Sequence, residues 1–410
     1  MIDLNLLHEN PDLIISHLKR KDPSFDADML YEYSVRLKTL RIELDTLRQQ
    51  KNELASQAKT GLNEHIRQES LRIGQLIKEK EIDFTDLEYN FNTLYYATAN
   101  IPSEDVPDGG KESNLIIRQW GQQQSFAFEP DHHVNLAERL GWIDFKVAAK
   151  MSGSNFAFYK GDGVRMLYAL GMFMLRNNSK HGFEPVLPPV IVNEESLKVS
   201  GNFPKFKDQV YHITQDNLFM TPTSEVNICN IYRDHIFNQE ELPVRMTAFT
   251  SCFRREAGTY GSAERGLIRI HQFEKVELYS ICEPEKSPAE LDYMISCAES
   301  ILQKLGLHYR VSLLAAQDCS FQSAKTYDIE VWLPGQKQYY EVSSASNCTD
   351  FQARRGMIRY KVNGKNKLVH TLNASSLALP RLMVAIIETY QQSDGTIHVP
   401  EVLKNEGVWF

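Results

Sequence analysis

The chain has 410 residues, which is enough for two or three domains of ordinary size. It is 42% hydrophobic and 24% charged, and this near-average composition excludes wholesale disorder, collagen-like repeats and a disulfide scaffold. The 45 Lys and Arg residues against 53 Asp and Glu residues give a formal net charge of −8. Such an acidic total argues against a protein that coats nucleic acid uniformly, but it leaves room for a local basic patch.

The cysteines give the redox environment. All 6 are scattered, with no C-x-x-C pair and no neighbouring cluster of histidines. This distribution predicts reduced thiols in a cytoplasmic protein and no structural zinc site. His132 and His133 have no partner at metal-ligand spacing, so we expect both to be structural. The N-terminus lacks a basic and apolar leader, and no apolar run reaches about 18 residues, so we expect neither secretion nor a membrane span.

The N-terminal quarter is dominated by helical periodicity. Residues 3–20 have the pattern of one short amphipathic helix, and apolar residues then recur in steps of three and four over residues 30–54 and 73–94. These heptads predict two antiparallel helices of about 33 residues, each about 50 Å long, in a hairpin over about residues 28–98. Gly61 lies at the break and suits the C-terminus of the first helix.

The distal part of this hairpin is basic. Between residues 36 and 80 there are ten Lys or Arg residues and six acidic ones, a local charge of about +4. On the heptad pattern alone, a dimerisation or spacer coiled coil explains the hairpin. The local charge instead favours contact with a phosphate backbone, and the residues by themselves leave both interpretations open.

Residue 101 is followed by a stretch rich in Pro, Gly and acidic residues, which predicts a linker over 102–130. Beyond it, helical runs mix with period-two segments, and strands are predicted at 243–256, 267–280, 308–315, 327–333 and 338–344. No βαβ rhythm and no glycine-rich nucleotide motif is present. The sequence therefore predicts an α+β fold with a mostly antiparallel sheet flanked by helices.

The segment 267–280 has its apolar residues on one face and Arg269, His271, Phe273, Lys275 and Glu277 on the other. If it forms a hairpin with the segment 253–256, then Arg254 and Glu256 share a surface with Phe273 and Glu277. An arginine binds phosphate bidentately, an aromatic ring stacks on a base, and carboxylates accept from amino groups. A salt-bridge ladder on an exposed sheet is the alternative explanation.

These segments carry a family resemblance. FRREAG and RGLIRIHQFEKVE, around residues 253–277, resemble motif 2 of the class II aminoacyl-tRNA synthetases in the form typical of the seryl-tRNA synthetase family, bacterial type. HGFEPVLPP (181–189) resembles motif 1, TPTSE (221–225) the Thr-x-Glu loop, YYEVSSASN (339–347) the Glu-x-Ser-Ser segment, and TLNASSLALPRLMVAIIETYQ (371–391) motif 3. The hairpin is similar to the tRNA-binding arm of that family, so the resemblance covers nearly the whole chain.

The resemblance implies a domain arrangement and a set of site residues. It implies an N-terminal tRNA-binding domain over 1–101, the linker over 102–130 and a class II catalytic domain over 131–410. The catalytic groups would be Arg254, Arg381 and Glu341. L-Serine would be bound by Thr223, Ser224, Glu225, Arg254, Glu277 and Ser375. ATP would be bound by Arg254, Arg255, Glu256, Phe273, Glu341, Val342, Ser343, Ser344 and Arg381, and Mg²⁺ by Glu341 and Ser344.

Within that set, the resemblance implies individual roles. Arg254 would hold the α-phosphate of ATP and the carboxylate of serine, and Glu256 would accept from the amino group of adenine. Phe273 and Arg381 would sandwich the adenine or hold the γ-phosphate side of a bent ATP. Glu225 and Glu277 would bind the ammonium or hydroxyl group of serine.

The sequence departs from the family's pattern at several positions. Motif 3 reads Asn-Ala-Ser-Ser at 373–376 where Asn-Gly-Ser-Gly is usual, Ala345 replaces a common Cys, and Pro380 replaces a common Gly. If Ala374 or Ser376 needs a positive φ, the backbone there is strained. The motif 2 loop lacks the common Asp-Thr before Arg265, in the segment that the resemblance assigns to the tRNA acceptor end.

The resemblance implies a cytoplasmic homodimer that activates L-serine with ATP to seryl-adenylate and transfers serine to the 3′ end of tRNA(Ser), and to tRNA(Sec) where the organism has one. One rival is a specialised or inhibitor-resistant paralogue that loads serine or another small amino acid onto a different acceptor. The hairpin argues against it, since such relatives usually lack the long arm. The other rival is a non-catalytic tRNA-binding scaffold, and the intact motif residues argue against that.

Overall fold

The structure, a computed structural model, describes residues 1–61, 63–257 and 266–409. The chain forms two compact units, Met1–Ile101 and Pro102–Phe410. Within the described residues, each helix is too short or too polar to cross a membrane.

The first unit is helical. Its helices are α1 (Leu4–Glu9), α2 (Pro11–Lys21), α3 (Ala27–Thr60) and α4 (Glu64–Tyr96). The single helix predicted over 3–20 is thus wrong, because the chain breaks at Asn10 and restarts with Pro11 in the first turn of α2. Proline is favoured there because the first N–H groups of a helix have no intrahelical partner.

The two long helices α3 and α4 form the hairpin expected from the heptads. Asp26 caps α3 by accepting from the Met29 N–H at 2.9 Å, and Gly61 is its C-terminal cap, as predicted. Between the helices, Leu44 packs with Ile73 and Ile77 in a buried cluster. The seam therefore rests on apolar contacts along one side of each helix.

The second unit contains the remaining elements. Its helices are α5 (His133–Leu140), α6 (Phe145–Ser152), α7 (Asp162–Lys180), α8 (Glu194–Ser200), α9 (Ser224–Cys229), α10 (Ser287–Lys304), α11 (Phe351–Gly356), α12 (Leu379–Thr389) and α13 (Glu401–Asn405). Its strands are β1 (Leu115–Trp120), β2 (Glu184–Pro185), β3 (Ile191–Val192), β4 (His212–Ile213), β5 (Leu218–Met220), β6 (Ile236–Asn238), β7 (Val244–Phe253), β8 (Gln272–Cys282), β9 (Tyr309–Leu313), β10 (Lys325–Leu333), β11 (Gln338–Asn347), β12 (Arg359–Val362), β13 (Lys365–Leu368) and β14 (His370–Ala378).

An eight-stranded sheet organises this unit, with the order β1-β9-β10-β11-β14-β8-β7-β2. Its strand pairs are antiparallel except β2 with β7, so the prediction of a mixed, mostly antiparallel sheet is confirmed. Two three-stranded sheets, β13-β12-β6 and β3-β5-β4, lie beside it. The helices α7, α10 and α12 pack against the large sheet around Leu170, Met294 and Met383, which are completely buried.

The strands around motif 2 are shorter than the sequence predicted. β7 ends at Phe253 instead of residue 256, and β8 begins at Gln272 instead of residue 267. Gly266–Ile268 forms a 3₁₀ turn in front of β8. The apolar Ile268 and Ile270 are buried as expected, so their pattern reflected burial and not strand structure.

The segment predicted as a linker over 102–130 contains an element of the sheet. Its strand β1 pairs with β9, from Leu115 opposite Leu313 to Trp120 opposite Tyr309. Every residue of β1 is exposed, so the strand adds little to the core. The Pro/Gly-rich composition around it concealed a short edge strand.

Candidate active site

Three adjoining cavities open at the polar side of the large sheet. The amide pocket, about 480 Å³, is lined by residues that include Thr223, Glu225, Lys275, Glu277, Gln322, Asn373 and Ser375. The aromatic pocket, about 180 Å³, includes Arg254, Glu256, Phe273, Val342, Pro380 and Arg381. The carboxylate pocket, about 680 Å³, includes Lys111, Asn114, Asp318, Asp328, Glu330, Glu341 and Ser344. They adjoin because Glu341 lines all three.

Arg254 leaves the end of β7 and enters the aromatic pocket. Its backbone N–H donates to the His271 carbonyl at 2.9 Å, which continues the β7–β8 pairing by one residue. Its guanidinium lies over the Phe273 ring, 5.1 Å from the ring centre, and Nε donates to the Pro222 carbonyl at 3.3 Å. The cation and the stacking surface predicted from motif 2 therefore lie together.

Glu256 is held by a residue that the site prediction omitted. Its backbone has a φ of 50°, in the left-handed region, so the strand geometry assumed for 253–256 does not apply to it. Arg269 donates through Nε to Glu256 Oε2 at 2.7 Å. This pair fixes the carboxylate at the wall shared by the amide and aromatic pockets.

Glu225, in the first turn of α9, is the most perturbed carboxyl group of the amide pocket. Gln352 and Asn373 donate to its Oε1 at 2.7 and 3.0 Å, and Gln322 donates at 3.4 Å. Burial, followed by repulsion from Glu277, raises the pKa of Glu225 to about 7. At neutral pH this carboxyl group is therefore balanced between its two charge states.

Thr223, Lys275 and Glu277 form a connected group on the other side of that pocket. Lys275 Nζ donates to Thr223 Oγ1 at 2.8 Å and is ion-paired with Glu277 Oε2, to which Thr223 Oγ1 donates at 2.7 Å. The side chains of Lys275 and Glu277 are only 7% and 1% exposed. Two carboxyl groups and one ammonium group are thus buried within one pocket.

Motif 3 supplies the floor of the pocket. Ser375 lies opposite Glu277 in the β14–β8 pairing, just before an irregularity that ends at Ala378. Among the described residues of this segment, the positive φ, 101°, belongs to Leu377 and not to Ala374 or Ser376. The strain considered for the two replaced glycines is therefore absent.

The Ser376 side chain points away from the amide pocket into a buried polar chain. Its Oγ donates to Asn178 Oδ1 at 3.0 Å, and Asn178 Nδ2 donates to Thr247 Oγ1 at 2.9 Å. Thr247 Oγ1 in turn donates to the Glu277 carbonyl at 2.8 Å. Ser376, which replaces a common glycine, is thus connected through Asn178 and Thr247 to the backbone of Glu277, a residue of the amide pocket.

Glu341 and Arg381 join the aromatic and carboxylate pockets. Arg381, in the first turn of α12, lies 3.1 Å from Glu341 Oε1 and donates to the Glu341 carbonyl at 3.0 Å. Its guanidinium also lies over the Tyr340 ring at 5.2 Å. Val342, the next residue of β11, lines the aromatic pocket. Ser343 is turned away and donates to the Ser375 carbonyl.

The carboxylate pocket has the donors that a divalent cation requires. Asp328 lies opposite Ser344 in the β10–β11 pairing, and its buried Oδ1 has no hydrogen-bond partner within the described part of the chain. Burial, followed by repulsion from Glu341, raises the pKa of Asp328 well above its ordinary range. Hard oxygen ligands of this kind suit Mg²⁺, so Glu341 and Ser344 fit the metal role implied for them, with Asp328 as a third oxygen donor.

Some predicted site residues are not brought to the cavities. Arg255 is exposed and donates to the Asp208 carbonyl at 3.2 Å. Ser224 is fully buried, and its Oγ has no partner among the described residues. The motif 2 loop, with Arg265, lies outside the described residues.

His132 and His133 acquire a partner that the sequence did not indicate. Ligand atoms of these two residues and Glu388 lie within 4.8 Å of one another. The shortest contact joins His133 Nδ1 to Glu388 Oε1 at 3.0 Å, and Glu388 also accepts from the Gly335 N–H at 2.9 Å. This network ties α5 and the β10–β11 turn to α12, which agrees with a structural role.

The prediction from sequence missed residues of two kinds. Lys275 and Arg269 lie on the face that the period-two pattern had grouped with Phe273 and Glu277, so a signal for them existed. Gln352 lies on α11, and its Nε2 donates to Glu225, 127 positions earlier in the chain. A single glutamine outside any motif carries no local signal for such a contact.

Comparison with known proteins identifies the family. A model described as the tRNA synthetase class II core domain (G, H, P, S and T) matches residues 206–390, and one described as the seryl-tRNA synthetase N-terminal domain matches residues 1–102. The serine–tRNA ligase of Leptospira biflexa is 44% identical, covering 98% of this chain and 99% of that protein. The ligase of Desulfotalea psychrophila is 43% identical over 98% of both.

Solved structures agree with this. The seryl-tRNA synthetase from Pyrococcus horikoshii complexed with ATP matches with a TM-score of 0.92 and 33% identity, covering 99% of this chain and 98% of that chain. The cytoplasmic serine–tRNA ligase from Naegleria fowleri in complex with AMP matches with a TM-score of 0.86 and 28% identity, covering 99% and 96%. With both domain models and full-length relatives in agreement, the chain belongs to the seryl-tRNA synthetase family of class II aminoacyl-tRNA synthetases.

Proposed function

We propose that this chain is a serine–tRNA ligase that forms seryl-adenylate from L-serine and ATP and then esterifies the 3′ end of tRNA(Ser). The observation that carries the proposal is the wall shared by two cavities. Arg254, Glu341 and Ser375 line both the amide pocket and the aromatic pocket. An amino acid in the first and a nucleotide in the second would meet at this wall.

The first step needs positioning and positive charge more than acid–base chemistry. The serine carboxylate forms a bond to the α-phosphorus while the bond from that phosphorus to the leaving diphosphate breaks. Because both reactants are anions, cations held in place are needed to bring them together. Arg254 and Arg381 are held at the edge of the aromatic pocket by carbonyls and aromatic rings, and they would supply that charge.

In the second step, the 3′-terminal hydroxyl of the tRNA attacks the carbonyl carbon of seryl-adenylate and the bond from that carbon to the phosphate oxygen breaks. AMP leaves, and the hydroxyl proton passes to the departing phosphate. Glu277 and Thr223 would keep the seryl group in the amide pocket during this transfer. The donors on the phosphate remain in place, so the same two arginines would stabilise the departing AMP.

A divalent cation would be held by Glu341, Ser344 and Asp328. When bound, Mg²⁺ would neutralise charge on the phosphates of ATP. Arg381 is ion-paired with Glu341. A residue that would bind the nucleotide therefore lies directly beside a residue that would bind the metal.

Selectivity for serine would come from the buried polar groups of the amide pocket. A pocket built to hydrogen-bond a hydroxyl group rejects the analogue that lacks it by about 10⁴–10⁵, because its own polar groups are left unpaired. Alanine would be excluded in this way. Threonine adds a methyl group, which would be excluded by steric contact near Thr223 and Ser375.

We assign tRNA binding to the hairpin of α3 and α4. Its basic residues include Lys38, Lys51, Lys59 and Lys78, which are exposed. Exposed lysines on a rigid hairpin suit the phosphate backbone of a folded RNA, which proteins recognise mainly by shape. The coiled-coil alternative, dimerisation through the hairpin, would instead use exposed apolar residues such as Ile42, Leu71 and Ile82.

We also propose that the enzyme is a homodimer in the cytoplasm. β1 lies at the edge of the large sheet, where Leu115, Ile116 and Ile117 are 52%, 57% and 42% exposed. An exposed apolar edge strand of this kind offers a template on which another chain can pair. All six cysteines are free, which favours a reducing compartment.

ATP–diphosphate exchange with a panel of amino acids tests the proposal. We expect exchange with L-serine, at least about 10⁴-fold better than with alanine, followed by charging of tRNA(Ser). Absence of exchange with serine would contradict the activity. Exchange with serine but no charging of tRNA would favour a ligase for a different acceptor.

A further inference from the structure

Lys275 has no part in the mechanism above, although its ammonium group lies inside the amide pocket. Nζ contacts Thr223 Oγ1 at 2.8 Å and is ion-paired with Glu277 Oε2. These two oxygen atoms belong to residues that the function proposed above assigns to the amino acid substrate. The pocket therefore already contains an ammonium group of its own.

A lysine ammonium and the α-ammonium of an amino acid have the same chemistry. Each has a single positive charge and three N–H donors. Two such groups repel each other if they share one carboxylate oxygen and one hydroxyl. Since Lys275 and Glu277 are buried, water does not screen that repulsion effectively.

The remaining carboxyl group of the pocket is a poorer site for the substrate ammonium. Glu225 Oε1 already accepts from three amide groups, those of Gln352, Asn373 and Gln322. Its pKa is raised to about 7, so about half of the molecules are uncharged there at neutral pH. The oxygens of Glu277 and Thr223 therefore form the stronger cation site.

Lys275 also borders a second cavity that its ammonium group could enter. Its side chain lines the aromatic pocket as well as the amide pocket, together with Arg254 and Glu341. Because Lys275 borders both cavities, a change of its side-chain rotamer is the movement that would take Nζ across the shared wall. In the aromatic pocket it would meet the phosphates of ATP and the carboxylate of the amino acid.

We propose that Lys275 is a displaceable cation, which occupies the ammonium site between Thr223 and Glu277 in the empty pocket and moves to the phosphate side when the amino acid binds. This inference rests on the proposed function. It links occupation of the amino acid pocket to delivery of a third positive charge beside the reacting phosphate, so that an empty pocket lacks part of the charge needed for reaction.

Lys275→Met tests the proposal, because it removes the ammonium group and keeps most of the side-chain volume. Binding of L-serine in the absence of ATP, measured by titration calorimetry, should become tighter by about tenfold, the effect of one charged hydrogen bond that no longer has to be broken. The kcat for serine-dependent exchange should fall by about 10²–10³, since a donor to the phosphate is lost. Ethanolamine, which has the ammonium and hydroxyl groups but no carboxylate, should also bind more tightly.

Two further variants keep the test decisive. Lys275→Gln removes the charge but keeps a donor, and we expect the same direction of change if the methionine variant folds poorly. Lys325→Met is the matched control, because it removes a half-buried lysine that is ion-paired with Asp105 elsewhere in the same unit. It should leave serine affinity and kcat within about twofold, the size of ordinary surface effects.

The outcomes separate this inference from the proposed function. If wild-type protein shows no serine-dependent exchange, the proposed function fails and the inference fails with it. If wild-type protein is active but serine or ethanolamine binds Lys275→Met more weakly than wild type, Lys275 only supports Glu277. The displacement mechanism is then overturned while the ligase activity stands.

Discussion

Glu225 is the residue whose charge state depends most on what occupies the amide pocket. The groups that face it are Glu277, Lys275, Gln352, Gln322, Asn373 and, more distantly, Cys229 and Tyr279. Burial and Glu277 favour its protonated form, whereas Lys275 and the amide donors favour the ionised form. A bound serine whose hydroxyl or ammonium group donates to Glu225 would add to the second group, even where its ammonium takes the place of Lys275.

This balance predicts a pH dependence of serine binding. The pKa of Glu225 is raised to about 7 in the empty pocket, so below pH 7 the carboxyl group is mostly protonated. A hydrogen bond donated by the bound serine favours the ionised form of Glu225, so binding must displace that proton. The KM for serine should therefore fall as the pH rises from about 6 to about 8, with a slope of at most about tenfold per pH unit.

Glu225→Gln provides the control for that prediction. It keeps the shape of the side chain and an oxygen that can accept from Gln352, but it cannot ionise. We expect a higher KM for serine that no longer changes between about pH 6 and 8. If the variant kept the wild-type pH profile, another group would be responsible for it.

Individual residues also show which parts of a site can be predicted from sequence. The chemistry of motif residues such as Arg254 and Glu341 follows from side-chain type, and the structure places both at the cavities. The backbone at Glu256 and the orientation of Ser376 could not be predicted, because each depends on a residue distant in the chain. Gln209 accepts from the backbone N–H groups of Arg255 and Ala257, on either side of Glu256. Asn178, whose Oδ1 accepts a hydrogen bond from the Ser376 hydroxyl, is 198 positions away in the chain.

At the scale of elements, the hairpin of α3 and α4 was the most predictable feature. Its heptads are local, and a long helix needs few contacts outside its own seam to be recognised. Strand ends were less predictable. The apolar pattern around Ile268 is that of a strand, but the chain there forms a 3₁₀ turn before β8, since burial and not strand pairing selected those residues.

The proposed role of the hairpin predicts the effect of neutralising its exposed lysines. The triple substitution Lys38→Gln, Lys51→Gln and Lys78→Gln should lower kcat/KM for tRNA by at least about tenfold, because each lost phosphate contact weakens binding. Serine-dependent exchange, which needs no tRNA, should stay within about twofold of wild type.

The matched control removes acidic instead of basic residues from the same two helices, so that the hairpin becomes more positive. Glu53 and Glu79 are also exposed, and Glu53→Gln with Glu79→Gln should tighten tRNA binding. If both sets of variants left tRNA charging unchanged, the hairpin would have to be assigned to another role, such as the spacer coiled coil.

At the scale of the whole molecule, charge is distributed unevenly along the chain. The chain carries −8 overall, but the segment 36–80 has ten basic residues against six acidic ones. Several acidic residues of the second unit lie in the pockets, where they would bind an ammonium group or a metal ion. Net charge alone therefore does not report whether one part of the surface suits nucleic acid.

This distribution predicts that salt weakens tRNA charging much more than it weakens adenylate formation. Raising the salt from about 50 to 200 mM should increase the KM for tRNA by an order of magnitude or more if several phosphates are contacted. ATP–diphosphate exchange should change much less, since its charged groups lie close together within the pockets, where Lys275 and Glu277 are buried. A parallel decline of both rates would mean that salt acts on the catalytic unit.

The strand β1 has a practical consequence for building chimaeras. Its segment looks like a replaceable connector, yet Lys111 and Asn114 line the carboxylate pocket and β1 extends the sheet. A fusion that grafts another synthetase's N-terminal unit onto this chain at residue 130 would remove part of the catalytic unit. The joint has to be made at residue 101 or 102, where the two compact units meet in sequence.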